Sequence, residues 1–214
     1  MRPPTLALFE DIVSDGAAFA LPARPRMVFV VHGGIAVDGA ETNEGAAWHG
    51  QHAATLRAGP HGAALWRWDL LAPGDAARPP GSPGIRSTLK LAAPLETLPE
   101  GDLLLRGDSV AFPPGGCAFR HTHQGPGIRC LIEGGIRIDT HGRSTPYGPG
   151  GAWYEAGPEP VCAQAAADRP SRFIRVMILP RALLGQSSIR YVDPADRDKP
   201  RSQTYRVFVD APIG

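Results

Sequence analysis

A nine-residue stretch occurs twice in this chain. Val30-Val31-His32-Gly33-Gly34-Ile35-Ala36-Val37-Asp38 is echoed 101 residues later by Leu131-Ile132-Glu133-Gly134-Gly135-Ile136-Arg137-Ile138-Asp139, without a gap and with Gly, Gly, Ile and Asp identical. Internal repetition constrains a fold more than any local propensity, because each copy must be able to form the same supersecondary unit. In both copies β-branched runs flank a Gly-Gly pair, the pattern of two strands meeting at a turn. The likeness extends further along the chain. Ala47-Trp48 matches Ala152-Trp153, Leu65 to Leu71 resembles Phe173 to Leu179 with Arg67 opposite Arg175, and the copies close on Pro73 and Pro180.

Composition agrees with a duplicated all-β unit. The 26 glycines and 23 prolines, beside a hydrophobic fraction of 43%, read as many tight turns joining short strands. At 214 residues the chain is long enough for one large or two small β domains, and either can bury a core. A formal net charge of +1 gives no electrostatic ground for a nucleic acid or an acidic membrane as partner. Cys117, Cys130 and Cys162 have no disulfide-framework spacing and fit a reducing, cytoplasmic setting. The N-terminal segment reaches Glu10-Asp11 before any long apolar run, so neither a signal peptide nor a membrane span is expected.

The chemistry is concentrated between residues 115 and 139. His121 and His123, two apart on a strand, point to the same face. Paired imidazoles suit Fe, Mn, Ni, Cu or Zn and need one or two further donors. Two surface histidines on an edge strand have the same spacing, so both readings stand at this point. The segment resembles the first motif of the cupin superfamily: Gly115, His121, His123 and Gly134 fall on its pattern, whereas Gly127 stands where its glutamate belongs. This resemblance implies an all-β fold of double-stranded β-helix (jelly-roll) barrels with a metal site in the barrel mouth. Counted back from Gly33, Ala20-Leu21-Pro22 falls opposite His121-Thr122-His123, so the first copy has no histidine pair. The expectation is a bicupin: residues 1–84 a barrel without the metal motif, 85–190 a barrel with it, and 191–214 a tail contributing a strand to the N-terminal barrel. The Pro/Gly-dense residues 73–84 read as a linker or long surface loop.

The remaining ligands are less clear. The superfamily's second motif fails, because counting from Gly151 puts Cys162 at its histidine and Ala166 at its asparagine. Cys162 is then either a thiolate ligand for the metal or a small core residue. Glu133 shares a face with Gly127, Arg129 and Leu131 if the strand is straight, which makes it a candidate metal ligand with Arg129 as competing ion-pair partner. At the strand's end it would instead be solvated. Glu155 is a possible ligand or catalytic base; Trp153, on the same face, stacks on a substrate or belongs to the core. Gln164 could hydrogen-bond a bound molecule and Arg129 could hold an anionic group bidentately.

Two functions follow. The resemblance implies a divalent transition metal (Fe, Mn, Ni or Zn) and a metal-dependent dioxygenase acting on a small organic molecule, with isomerase or lyase chemistry next. The missing glutamate and second-motif histidine favour the rival, a non-catalytic small-molecule-binding or regulatory cupin with a degenerate metal site. Cupins also often pair through sheet edges, so a homodimer is expected.

Overall fold

The computed structural model describes residues 2–214. They form two compact units, one ending at Leu95 and one running from Glu96 to Gly214. Both are built from antiparallel strands, and the helical content is two single 3-10 turns, Arg181–Leu183 and Pro194–Asp196. No helix among the described residues is long and apolar enough to cross a membrane.

The first unit comprises β1 (Thr5–Val13), β2 (Ala18–Leu21), β3 (Arg26–Val37), β4 (Ala40–Asn43), β5 (Ala47–Gly50), β6 (Ala54–Leu71) and β7 (Ile85–Pro94). They pair in the order β4-β3-β6-β1-β7, with β2 on β6 and β5 on β3. β3 and β6 are long and bend. Register slips between Val30 and His32 and between Gly33 and Ile35 let the two ends of β3 take different partners, β5 at Arg26 to Phe29 and β4 at Gly34 to Val37.

The second unit comprises β8 (Leu103–Phe112), β9 (Cys117–His123), β10 (Gly127–Glu133), β11 (Ile136–Thr140), β12 (Arg143–Tyr147), β13 (Ala152–Glu155), β14 (Val161–Ala165), β15 (Ser171–Pro180), β16 (Ile189–Tyr191) and β17 (Thr204–Ile213). Two five-stranded sheets result, β13-β10-β15-β8-β17 and β12-β11-β14-β9-β16. Val110, Phe112, Leu131, Ile136, Ile138, Trp153 and Phe173 form their shared core. The Trp153 ring meets Phe173 edge-on at 5.2 Å and stacks on Tyr147 at 4.8 Å.

The order of partners is the same in both units once β10 with β11 is set against β3, and β14 with β15 against β6. Val28 faces Trp48 on one side and Arg67 on the other; Arg129 faces Trp153 and Arg175. Gly33 and Gly134 therefore hold the same place, and the same physics requires glycine at both. Their φ angles are +80° and +81°, and an added Cβ would lie 2.3 Å from the Gly62 carbonyl oxygen and 2.2 Å from that of Pro170. The pairing also moves one correspondence by a residue. His121 opposes Val161, and its counterpart opposite Ala54 is the fully buried Leu21 rather than Ala20.

Two boundaries differ from the sequence expectation. Residues 85–94 are not the start of the second unit, because they pair with β1 along its whole length, and residues 73–84 form a connection inside the first unit. The C-terminal strand does not join the N-terminal unit. β17 pairs with β8, the place β7 takes on β1, and is anchored there by Arg106 and Asp210 at 2.8 Å. Hydrophobic alternation marks both segments as strands but carries no information about which edge they close.

Gly134→Ala is expected to destabilise the protein by about 2–3 kcal/mol, combining a left-handed backbone with a backbone collision. Gly142→Ala, at φ +69° but with open space around it, should cost only about 1 kcal/mol. Urea unfolding of the two variants checks the difference.

Candidate metal centre

Side chains two apart on a strand share a face, and the inner faces of the second unit change character along their length. On β8, Phe112 and Val110 belong to the apolar core while Asp108 and Arg106 continue the same face; on β15 Phe173 is followed by Arg175, and on β10 Leu131 is preceded by Arg129. A layer of charged groups thus lies on an apolar base, almost wholly shielded from solvent. Arg129 has 0% exposure, Asp108 2%, and His121 and His123 4% each.

Buried charges need partners. Arg175 donates to both carboxylate oxygens of Asp108, at 2.7 and 2.9 Å. Arg129 donates from Nη1 to the Gly127 carbonyl at 2.7 Å, and its Nη2 lies 2.8 Å from Glu155 Oε2. Glu155 reaches this layer because it opposes Gly127 across the β10–β13 ladder, and Trp153 Nε1 donates to its Oε1 at 2.8 Å.

His121 Nδ1 donates to the Phe119 carbonyl at 2.6 Å, which leaves the Nε2 lone pair facing inward. That atom is 3.2 Å from His123 Nε2, with the ring planes at 84°. His123 Nε2 is also 3.2 Å from Glu155 Oε2, and its Nδ1 is 3.5 Å from Ser188 Oγ. Burial pushes the His123 pKa down to about 3 and lowers that of His121. Burial lowers the Arg129 pKa to about 10. For Glu155 burial favours the neutral acid, but Arg129 and His123 outweigh it and hold the carboxyl well below its usual range. Neutral imidazoles beside an ionised carboxylate are the protonation states a metal requires.

Two donors about 2.1 Å from one ion lie about 3.0 Å apart at a right angle and about 3.4 Å apart at the tetrahedral angle. Both 3.2 Å separations fall in that interval. Glu155 Oε2 and Arg129 Nη2 are buried without a directed hydrogen bond, so their 2.8 Å approach is a contact of charges rather than an aligned N–H···O bond. A cavity of about 20 Å³, bordered by His121, His123, Arg129 and Glu155, has room for one water or one ion. The two imidazoles therefore fit a divalent cation. The carboxylate fits only if it is shared with Arg129, and among the described residues no group of three or more His, Cys, Asp and Glu side chains is already gathered to hold a metal.

The other sequence candidates lie elsewhere. Glu133 is exposed and pairs with Arg172 at 2.9 Å, because a register slip between Leu131 and Glu133 ends the straight alternation that would have turned it inward. Cys162 and Gln164 are on the outer face of β14, whose buried residues are Val161, Ala163 and Ala165. Cys162 Sγ is 3.9 Å from Cys117 Sγ, burial together with that neighbour pushes its pKa up to about 11, and it faces away from the histidine pair. Gln164 donates to the Gly115 carbonyl at 2.9 Å rather than to a ligand. Trp153 is a core residue that orients Glu155. Tyr205 borders the cavity, Asp108 pairs with Arg175 beside it and Ser188 lies against His123; strand alternation was the only sequence signal for Asp108 and Tyr205, and Ser188 had none.

In metal-free protein the folded state leaves His123 neutral where the unfolded chain takes up a proton, so stability falls as pH drops from about 6.5 toward 3, by at most about 1.4 kcal/mol per pH unit per group. His121 acts in the same direction. Unfolding midpoints measured between pH 6.5 and 5, above the range in which ordinary carboxylates titrate, should decline less steeply in His123→Gln.

No protein-family model matches the chain, and no curated protein sequence matches it. Solved structures do. Oxalate decarboxylase of Bacillus subtilis, in a study of its Mn(II) centres, superposes with a TM-score of 0.66 at 13% identity, over 92% of this chain and 74% of that one. A serine-to-alanine mutant of the same enzyme gives 0.64 at 14% identity, over 95% and 81%, and a tryptophan-to-phenylalanine mutant gives 0.62 at 13%, over 86% and 73%. At such identities the likeness concerns the fold alone, an all-β jelly roll.

Proposed function

We propose that the second unit is a cupin metal centre in which His121 and His123 hold a divalent transition metal and that it acts as a metal-dependent dioxygenase on a small organic molecule. The observation that carries this reading is the convergence of two neutral Nε2 atoms to 3.2 Å, one of them fixed in its tautomer by the Phe119 carbonyl. The oxalate decarboxylase neighbours, with their Mn(II) centres, support a metal in this fold. When bound, the ion supplies Lewis acidity and open positions for substrate and O2.

The chain's own groups do the rest. His121 and His123 are the ligands, and Glu155 is the third donor or the base. Beside Arg129 and His123 the Glu155 carboxyl is too acidic to take a proton at rest. A substrate anion that draws the Arg129 guanidinium toward itself would raise the carboxyl's basicity and free it to accept a proton. Trp153 holds the other oxygen in place. The first unit has no counterpart of this centre, since Leu21 occupies the place of His121. The recurrence of strand order supports reading the chain as a bicupin, a duplicated barrel in which one copy keeps the site.

The Arg129–Glu155 contact favours one rival, a regulatory or ligand-binding cupin whose site no longer takes metal. Metal analysis of untagged protein separates them. Near-stoichiometric Fe, Mn, Ni or Zn, lost in His121→Ala/His123→Ala, is expected; trace metal in the parent protein sinks the metal reading. Oxygen uptake by the loaded protein over a small-molecule library, absent in the double variant, is the test of the dioxygenase.

Arg129→Leu should behave in a characteristic way. Without metal it leaves a buried carboxylate uncompensated, at a cost of about 3–5 kcal/mol. Added Mn(II) should then raise its melting temperature more than that of the parent protein, because Glu155 is released to the ion.

A further inference from the structure

The second unit contains a cleft of about 710 Å³, within the size range of small-molecule sites. Its wall carries five arginines, Arg106, Arg175, Arg190, Arg197 and Arg201, against two carboxylates, Asp108 and Asp210. Those carboxylates are spoken for. Asp210 pairs with Arg106 at 2.8 Å, and Asp108 pairs with Arg175 at 2.7 Å. Among the described residues Arg190, Arg197 and Arg201 have no carboxylate within ion-pair distance; Arg201 lies over the Tyr191 ring at 5.9 Å. Three uncompensated cations around one concavity stand out in a chain whose formal net charge is only +1. A concave wall focuses their field.

The cleft has an apolar side as well. Val207, 56% exposed, and Tyr205, 42% exposed, are among the exposed large hydrophobic residues and both line it. It also adjoins the histidine pair. Arg175, Ile189 and Tyr205 wall both the cleft and the small cavity beside His121 and His123, and Ser188, on the cleft's lining, lies 3.5 Å from His123 Nδ1.

We propose that this cleft is a specificity subsite for an organic anion with an apolar body, whose charged group is held at the rim by Arg190, Arg197 and Arg201 while its other end extends past Arg175 and Tyr205 toward the histidines. The proposal rests on the metal-centre reading for what happens at that other end, but not for binding. A volume of about 710 Å³ exceeds what a two-carbon diacid such as oxalate fills and leaves room for an apolar body. Guanidinium groups recognise carboxylates bidentately, and the tyrosines offer faces for a planar or aliphatic body.

The test uses the full chain stripped of metal, with phthalate as the anionic probe, phthalamide as its uncharged counterpart and inorganic phosphate as a small anion without a body, by isothermal titration calorimetry. Phthalate is expected to bind, more weakly as salt is raised, and more tightly than either control. Arg190→Gln/Arg197→Gln/Arg201→Gln should weaken phthalate about tenfold or more, while Arg143→Gln, an exposed arginine on β12 outside the cleft, should leave it unchanged. Equal affinity for phthalate and phthalamide, or an unaltered affinity in a folded triple variant, overturns the proposal. So does phosphate binding as tightly as phthalate, which would leave a site for small anions only. Metal analysis of the parent protein separates the two readings. Anion binding retained by a protein that never takes up metal would sink the proposed chemistry and leave the subsite standing, and metal uptake without anion discrimination would do the reverse.

Discussion

A guanidinium with no access to solvent has to be matched by a negative charge, and in the second unit Arg129 imposes that demand. Its partner is Glu155, delivered across the β10–β13 ladder from a strand end whose other anchor is the Trp153 indole. Because the carboxylate is fixed there, His123 has a charged neighbour at 3.2 Å, and the paired imidazoles lie in a polar layer rather than in the apolar core beneath it. Gly127 belongs to the same arrangement. An added Cβ there would lie 2.3 Å from the Val176 carbonyl oxygen, so no side chain has room at that position, and the carboxylate opposite it on β13 is the one that reaches the layer.

The first unit shows the same frame used differently. Arg67 pairs with Asp11 and also with Asp69, and Asp69 in turn takes Arg26 at 3.0 Å, so the buried charges close on one another. Leu21 stands in the first imidazole's place, so the carboxylates of this network meet arginines and no histidine pair. The arginine at the equivalent register position, Arg67 in one unit and Arg175 in the other, thus recurs with the frame, while the histidine pair is found in the second unit.

Much of this was legible from residues. The Gly-Gly repeat located the bends, because left-handed backbone next to a neighbouring carbonyl admits only glycine, and the His-x-His spacing located the inner face of β9. Glu155, Arg129, His121 and His123 do come together, whereas Glu133, Cys162 and Gln164 do not. The failures share a cause. A strand's facing is readable only while its alternation is unbroken, and the slip after Leu131 is set by tertiary pairing with β15 rather than by the residues themselves. Which edge β17 closes is likewise a matter of global topology, invisible in a local pattern.

The attachment of β17 bears on how the second unit is assembled. Arg106 meets Asp210 across a separation of 104 residues, and Tyr205 and Val207 come from the same strand. Ordering so long an intervening segment carries an entropic cost that is recovered only when both ends are in register. In a refolding chain the hairpin-like pairs of neighbouring strands can therefore form early, while the side of the cleft built by Tyr205, Val207 and Asp210 waits for a strand from the far end of the sequence. Completion of the cleft is then a late event of folding, and its closure reports the whole unit rather than any one sheet.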